Sequence, residues 1–496
     1  MAAAAAEPPA SAASSSSPPA VRIIDTVLIQ PSPSSSSDHP APPEEETSLP
    51  LTFFDIFWLD SPPVERLFLY PLAPDADADA IISTLKSSLS HAITAFYPLA
   101  GRIRPTPATP TQYELHYRPG VDGVAFTVAE SDHHLDLAAL TTAADARAVA
   151  TIEQLLPPLP DDGAVLALQA TVLAGGRGVA LGVTVHHAAC DGAASTHFLH
   201  SWAAFARRRA TGGGAEEEGV PLPAPPVVDR SVVRDPRGGG GGLYEVFYEG
   251  RPTKDEMEFV KMAPDQLLAT FVLSRTDLQR VKDAVAAEAA RRHVAPPPRC
   301  SSLVATLGLV WSCYHRAKKV AAGSNDDEGP TCLLFPVDHR SRMSPPVPEK
   351  YLGNCVGPAL AIASKRDLTQ PGTGGVFAAC AAVAAGIQEA VTEIGTPAMD
   401  AWMEKVREAG KTMGVLSVAG SPRFRVYDLD FGFGRPAKVD IVSVARTGAV
   451  AVAESRDGGQ NGGGMEVGVS LQPDGMDRFR ECFADAVAWL RGAGRS

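Results

Sequence analysis

Val183-Thr184-Val185-His186-His187-Ala188-Ala189-Cys190-Asp191-Gly192 is the stretch on which the reading of this chain turns. Upstream of it, Val179, Leu181, Val183 and Val185 share one parity, the alternation of a half-buried strand. Carrying that parity forward puts His187 on the apolar face at the strand's end and His186 on the other face. After Asp191-Gly192 the period changes: Phe198, Leu199, Trp202 and Phe205 recur at helical spacing, so a helix follows. A histidine fixed where a strand breaks into a helix suits a catalytic base. Its ordinary pKa lies near neutrality, so it can take a proton from a hydroxyl or amine. Asp191 would orient the turn, hold a nearby arginine, or cap the helix. Taken alone, the stretch favours the plainer reading, a packed histidine beside a helix cap, because His-x-x-x-Asp recurs by chance.

A second stretch changes that balance. Asp430-Phe431-Gly432-Phe433-Gly434-Arg435-Pro436 lies far downstream, and its glycines permit a tight bend. In order and separation the pair resembles the HXXXD(G) and DFGWG signatures of the plant BAHD acyl-CoA-dependent acyltransferases, with Phe433 where that family usually has tryptophan. The likeness runs from about Val21 onward. Leu49 to Asp55 resembles the family's LPLTFFD start, Tyr97 to Arg102 its YPLAGR segment, and Asp229 to Pro236 its ordered crossover. Asp338 to Arg342 resembles the family's basic loop. Tyr351-Leu352-Gly353-Asn354-Cys355 is similar to the YFGNC of malonyl-CoA and anthocyanin or phenolic glucoside acyltransferases. Ser417 to Pro422, followed by Arg423-Phe424, continues the same likeness.

The resemblance implies an α/β fold with mixed sheets: two similar lobes, related to chloramphenicol acetyltransferase, with a channel between them. It makes His187 the general base and gives Asp191, Gly192, Phe431, Gly432, Phe433 and Gly434 structural roles. Asp430 would pair with an arginine and hold its lobe in shape, a proton-acceptor role being the alternative. Ser301 and Ser302, at the start of an apolar helix, would contact coenzyme A. Arg340 would either face the cofactor phosphates or be structural. Ser417, Ala419 and Gly420 would line the substrate pocket. Acyl-CoA enters as co-substrate. No metal, no permanently bound cofactor and no acyl-enzyme are implied, and the expected partners are a small-molecule donor and a hydroxylated acceptor.

The branch implies transfer of malonyl from malonyl-CoA to a sugar hydroxyl of a flavonoid (anthocyanin) or phenolic glucoside. Ala193-Ala194 stand where that branch often has a basic residue after the aspartate and glycine. A malonyl carboxylate needs a cationic partner, best a bidentate arginine. An aromatic donor such as coumaroyl-CoA is therefore the alternative, on a phenolic glycoside, alcohol or amine. Two readings from other classes stand beside these: a cysteine hydrolase with Cys190 as nucleophile, and a non-catalytic relative that binds a small molecule.

Composition narrows the field. The 496 residues suffice for two ordinary domains, and 45% hydrophobic content is that of a globular protein. The net charge of −13 argues against nucleic acid or an anionic membrane as the main partner. The seven scattered cysteines include no CxxC pair, which fits reduced thiols in a cytosolic enzyme, and the family resemblance implies a monomer. No apolar run is expected to reach the ~20 residues of a membrane span. His133-His134 beside Asp132 lacks an evident third ligand and reads as a solvated loop.

The expected organisation is a disordered Ala/Ser/Pro-rich leader over 1–20, an N-terminal lobe over 21–209, a Gly-rich crossover over 210–265, and a C-terminal lobe over 266–496.

Overall fold

The His187 strand, Gly178–Val185, is buried at every residue in the computed structural model of the chain. The structure describes residues 20–32, 41–132, 135–142, 146–210, 220–238, 242–253, 256, 262–322, 329–456 and 463–492. The expected disordered leader, the His133-His134 loop and the glycine run at 212–214 fall outside the described residues, residue 20 of the leader excepted. Alternation in the His187 strand therefore does not separate core from solvent, as the sequence pattern implied. It separates two cores: Val179, Leu181, Val183 and Val185 face one, and Ala180 faces another. Apolar packing covers both sides because a central strand in an α/β layer has no wet face.

That strand is central in a six-stranded mixed sheet ordered Val21–Ile29, Val124–Ser131, Leu166–Val172, Gly178–Val185, Val64–Pro71, Lys438–Ile441. One junction, between Val124–Ser131 and Leu166–Val172, is parallel, and the others are antiparallel. A seven-stranded sheet follows the order Val356–Ser364, Pro330–Asp338, Gly414–Ala419, Val450–Glu454, Met465–Leu471, Leu267–Leu273, Arg147–Ala148. Its junctions on either side of Gly414–Ala419 are parallel. A small sheet of Thr47–Pro50, Tyr113–Tyr117 and Arg102–Pro105 completes the set.

The two large sheets exchange strands. Lys438–Ile441, from the C-terminal half, closes the first sheet, and Arg147–Ala148, from the N-terminal half, closes the second. A hydrophobic cluster joining Leu67, Leu69 and Ala180 to Leu268, Val444 and Ala451 welds the halves at this crossing. Helix Ala78–Ala95 packs on helix Gly192–Ala210 over the first sheet. There Phe198 and Leu199 are fully buried, each worth about 1.5–3 kcal/mol, and the Trp202 indole donates to Ser88 Oγ at 3.0 Å.

Against expectation, one helix among the described residues, Gly374–Glu393, is long and apolar enough to cross a membrane. Half of it is buried, and it packs against helix Ser302–Ala322 and strand Val356–Ser364, the setting of a core helix. All seven cysteines are unpaired.

Candidate active site

A cavity of about 1670 Å³ runs between the halves, lined by His187, Arg66 and Ser195 from the N-terminal half and by Ser302, Ser417 and Gly420 from the C-terminal half. Strand Gly178–Val185 ends two residues before His187, and helix Gly192–Ala210 begins five after it, so the imidazole sits on a short turn held at both ends.

The Trp58 indole stacks on the His187 ring, centroids 3.8 Å apart and planes 17° from parallel. Nδ1 is sealed from solvent, which leaves Nε2 as the nitrogen presented to the cavity. Burial lowers the His187 pKa to about 4, against the opposing pull of Asp191, its own carbonyl and the Asn354 side chain, and Arg66 lowers it further. The ring is therefore neutral at physiological pH, the state a base requires.

Behind the turn, three segments distant in sequence converge. Asp55, fully buried, accepts from the Arg230 guanidinium at 2.9 Å, and its other oxygen accepts from the Asn354 amide and side chain, both at 2.9 Å. Asn354 Nδ2 also donates to the His187 carbonyl at 2.9 Å, and Arg230 Nη2 donates to the Ala189 carbonyl at 3.1 Å. The turn is thus held at both carbonyls by groups from the LPLTFFD-like segment, the crossover and the YLGNC segment. A Cβ on Gly353 would lie 2.3 Å from Arg230 Nη1, so only glycine lets that guanidinium approach. In the sequence, Asp55 and Asn354 stand out only as members of two segments that carry the family likeness. Their identity as polar residues inside apolar segments was the available signal, but their meeting is a matter of tertiary structure.

Asp191 caps the helix and holds an arginine. Its Oδ1 accepts from the Ala194 amide at 3.0 Å, and Oδ2 accepts from the Cys355 amide at 3.1 Å and pairs with Arg340 at 2.8 Å. Although burial pushes its pKa up, Arg340 and the amides hold the carboxyl below its ordinary value. Between the two readings of Arg340, the phosphate contact is the one to correct. Its guanidinium is buried, paired with Asp191, and donates to the carbonyls of Tyr351 and Gly353.

Asp430 also departs from expectation. Its carboxylate accepts from the amides of Gly432 at 2.8 Å and Gly434 at 3.1 Å, while Arg207 donates to its main-chain carbonyl at 2.7 Å. Arg207 thus joins the backbone of the motif, and the carboxylate caps a turn in which Gly432 and Gly434 hold φ of +100° and +106°. It does not line the cavity, so the proton-acceptor alternative has no geometric basis. Phe431 packs edge-on to Trp202 at 4.8 Å and Phe433 edge-on to Tyr70 at 5.2 Å, tying this turn to helix Gly192–Ala210 and strand Val64–Pro71.

Ser301 and Ser302 reach the cavity at the start of helix Ser302–Ala322. Ser301 Oγ accepts from the Val304 amide at 3.3 Å, and Ser302 Oγ accepts from Lys282 Nζ at 3.0 Å. Ser417, Ala419 and Gly420 also line the cavity, along and just past strand Gly414–Ala419. Cys190 is buried and its thiol is pushed up to about 12, chiefly by burial, so it carries no thiolate for hydrolase chemistry.

The histidine thus stands on a strand–turn–helix junction at a cavity between two halves, each built on a mixed sheet. Residues 34–486 match the Transferase family, and the chain belongs to this family of BAHD acyltransferases. It is an acyltransferase. It is 33% identical over 480 residues to phenolic glucoside malonyltransferase 1 of Arabidopsis thaliana, covering 92% of this chain and 95% of that one. It is 30% identical over 473 residues to the coumaroyl-CoA:anthocyanidin 3-O-glucoside-6''-O-coumaroyltransferase 1 of the same plant, covering 91% and 96%. In fold it is similar to vinorine synthase, with a TM-score of 0.64 at 20% identity over 92% of this chain and 96% of that one. The TRI101 of F. graminearum with coenzyme A and deoxynivalenol aligns with a TM-score of 0.60 at 16% identity, covering 88% and 97%.

Proposed function

We propose that this acyltransferase moves an acyl group, malonyl in the favoured case, from coenzyme A to a sugar hydroxyl of a flavonoid (anthocyanin) or phenolic glucoside, with His187 as general base. The observation that carries this reading is the neutral imidazole at the cavity, stacked on Trp58, with the residue's own carbonyl held by Asn354. In this reading residues 21–209 and 266–496 form the lobes and 210–265 crosses between them. The relatives' names supply the substrate class, and malonyl and coumaroyl transferases match at nearly the same identity.

The reaction runs as a ternary complex. His187 takes the acceptor's hydroxyl proton as the oxygen attacks the thioester carbonyl. The tetrahedral intermediate collapses, the C–S bond breaks, and His187 returns the proton to the coenzyme A thiolate. At the donor end, the exposed Arg299, Lys282 and the first amides of helix Ser302–Ala322 form a cationic mouth suited to phosphate.

The test is thiol release by purified protein with malonyl-, acetyl-, coumaroyl- and caffeoyl-CoA crossed with flavonoid and phenolic glucosides. Release is expected only with a glucoside present, and His187→Ala should lower kcat roughly 100- to 10,000-fold. Near-normal turnover by that variant would remove His187 as the base. Release with aromatic donors alone would keep the mechanism and exchange malonyl for hydroxycinnamoyl transfer.

A further inference from the structure

Among the buried groups around His187, cations outnumber carboxylates. Two carboxylates, Asp55 and Asp191, are fully buried beside the turn, paired with Arg230 at 2.9 Å and Arg340 at 2.8 Å, and Arg340 also lies 3.4 Å from the half-exposed Asp338. A third guanidinium, that of Arg66, is 5% exposed. Its hydrogen bonds are to neutral hydroxyls: Nη1 donates to Thr196 Oγ1 at 2.9 Å and Nη2 to Ser195 Oγ. No carboxylate among the described residues lies within ion-pair distance of it, yet it lines the same cavity as His187. A buried cation without a counter-ion is costly to maintain, and such groups are ordinarily paired.

Its placement follows from the sheet. Arg66 is opposite Val183 in the antiparallel pair formed with the His187 strand, and Val64 is opposite Val185. Directly opposed residues share a face, so Arg66 projects to the side on which Val183, Val185 and the start of the catalytic turn lie. Ser195 and Thr196, from the first turn of helix Gly192–Ala210, steady the guanidinium without neutralising it. Burial lowers its pKa to about 10, which still leaves it cationic at neutral pH.

We propose that Arg66 is the specificity residue for the acyl donor, recognising the terminal carboxylate of a short dicarboxylic acyl-CoA such as malonyl-CoA. The inference rests on the acyltransferase reading above and deepens it. In a malonyl thioester the carboxylate is one methylene from the reacting carbonyl, so its cationic partner has to stand beside the base. Arg66 does so, although Ala193-Ala194 withhold a basic residue from the turn itself. A guanidinium fork binds a carboxylate through two parallel hydrogen bonds, and the ligand supplies the missing counter-charge.

The experiment compares malonyl-CoA with acetyl-CoA, which lacks only the carboxylate arm, by equilibrium binding and by steady-state transfer. The full-length protein, Arg66→Gln and Arg66→Lys are measured side by side. Wild type should bind malonyl-CoA at least 10-fold more tightly than acetyl-CoA. Arg66→Gln should abolish that difference through malonyl-CoA KM while leaving acetyl-CoA binding unchanged, and Arg66→Lys should restore part of it. Equal wild-type affinity for the two donors overturns the assignment while leaving the acyltransferase reading intact. So does an equal fall of kcat for both donors in Arg66→Gln, which would mark a positional or oxyanion role. Binding of neither donor overturns the assignment together with the function on which it rests.

Discussion

His187 stands on a turn whose geometry is set by backbone contacts and whose protonation is set by burial. Trp58 covers one ring face, and the three groups that favour the charged ring only partly offset the loss of water. The acid limb of kcat/KM, which reports the free enzyme's base, should therefore fall near pH 4–5, below the ordinary histidine range. A limb at pH 6.5 would mean that the titrating group is solvated and is not this ring. The residue was legible in the sequence because strand parity and the following helix both point to it. Its supports were not: Asp55, Arg230 and Asn354 come from three separate segments.

At the scale of the element, helix Gly192–Ala210 depends on Asp191 twice. The carboxylate caps its first turn through the Ala194 amide, and it neutralises Arg340, which in turn grips the Tyr351 and Gly353 carbonyls. Loss of a cap costs about 0.5–2 kcal/mol. Stranding a buried charge costs about 3–5 kcal/mol more. Asp191→Ala should therefore fold poorly, with a lower unfolding midpoint and reduced soluble yield, and whatever folds should keep measurable turnover. An unchanged midpoint with abolished turnover would make Asp191 a chemical group. The DFGFG turn illustrates the same division. Its glycines announced a tight bend, and positive φ at Gly432 and Gly434 realises it. That Asp430 would accept from those glycines, with Arg207 on its carbonyl, followed from the docking of the turn on the first lobe.

Over the whole molecule, burial of histidine links stability to pH. His187, His197 and His315 have pKa values lowered to about 4 and His339 to about 3, burial being the largest cause in each. His339 lies between the Phe54 and Trp402 rings with neither ring nitrogen partnered. Between these values and the unfolded pKa near 6.5, the unfolded chain binds more protons than the folded one. Stability therefore rises with pH across this window and is lost as pH falls from about 6.5 towards 4. Each such histidine contributes a slope of up to about 1.4 kcal/mol per pH unit. Denaturant midpoints measured from pH 7 to pH 4.5 should decline steadily, and His339→Phe should flatten the curve. A midpoint flat across that range would show that the rings are solvated.

The sequence by itself determined the strand, turn and helix around His187, the glycine bend at the second motif and the family resemblance. These are local: periodicity and turn chemistry are carried by neighbours along the chain. Tertiary structure decided that the His187 strand is buried on both faces, that the two sheets exchange their edge strands, and that Arg340 belongs to Asp191. It also decided that Arg66 is left without a carboxylate beside the base. The physical reason is that charge pairing and desolvation depend on distance through space. A linear chain states which charges exist, and only folding determines which of them meet.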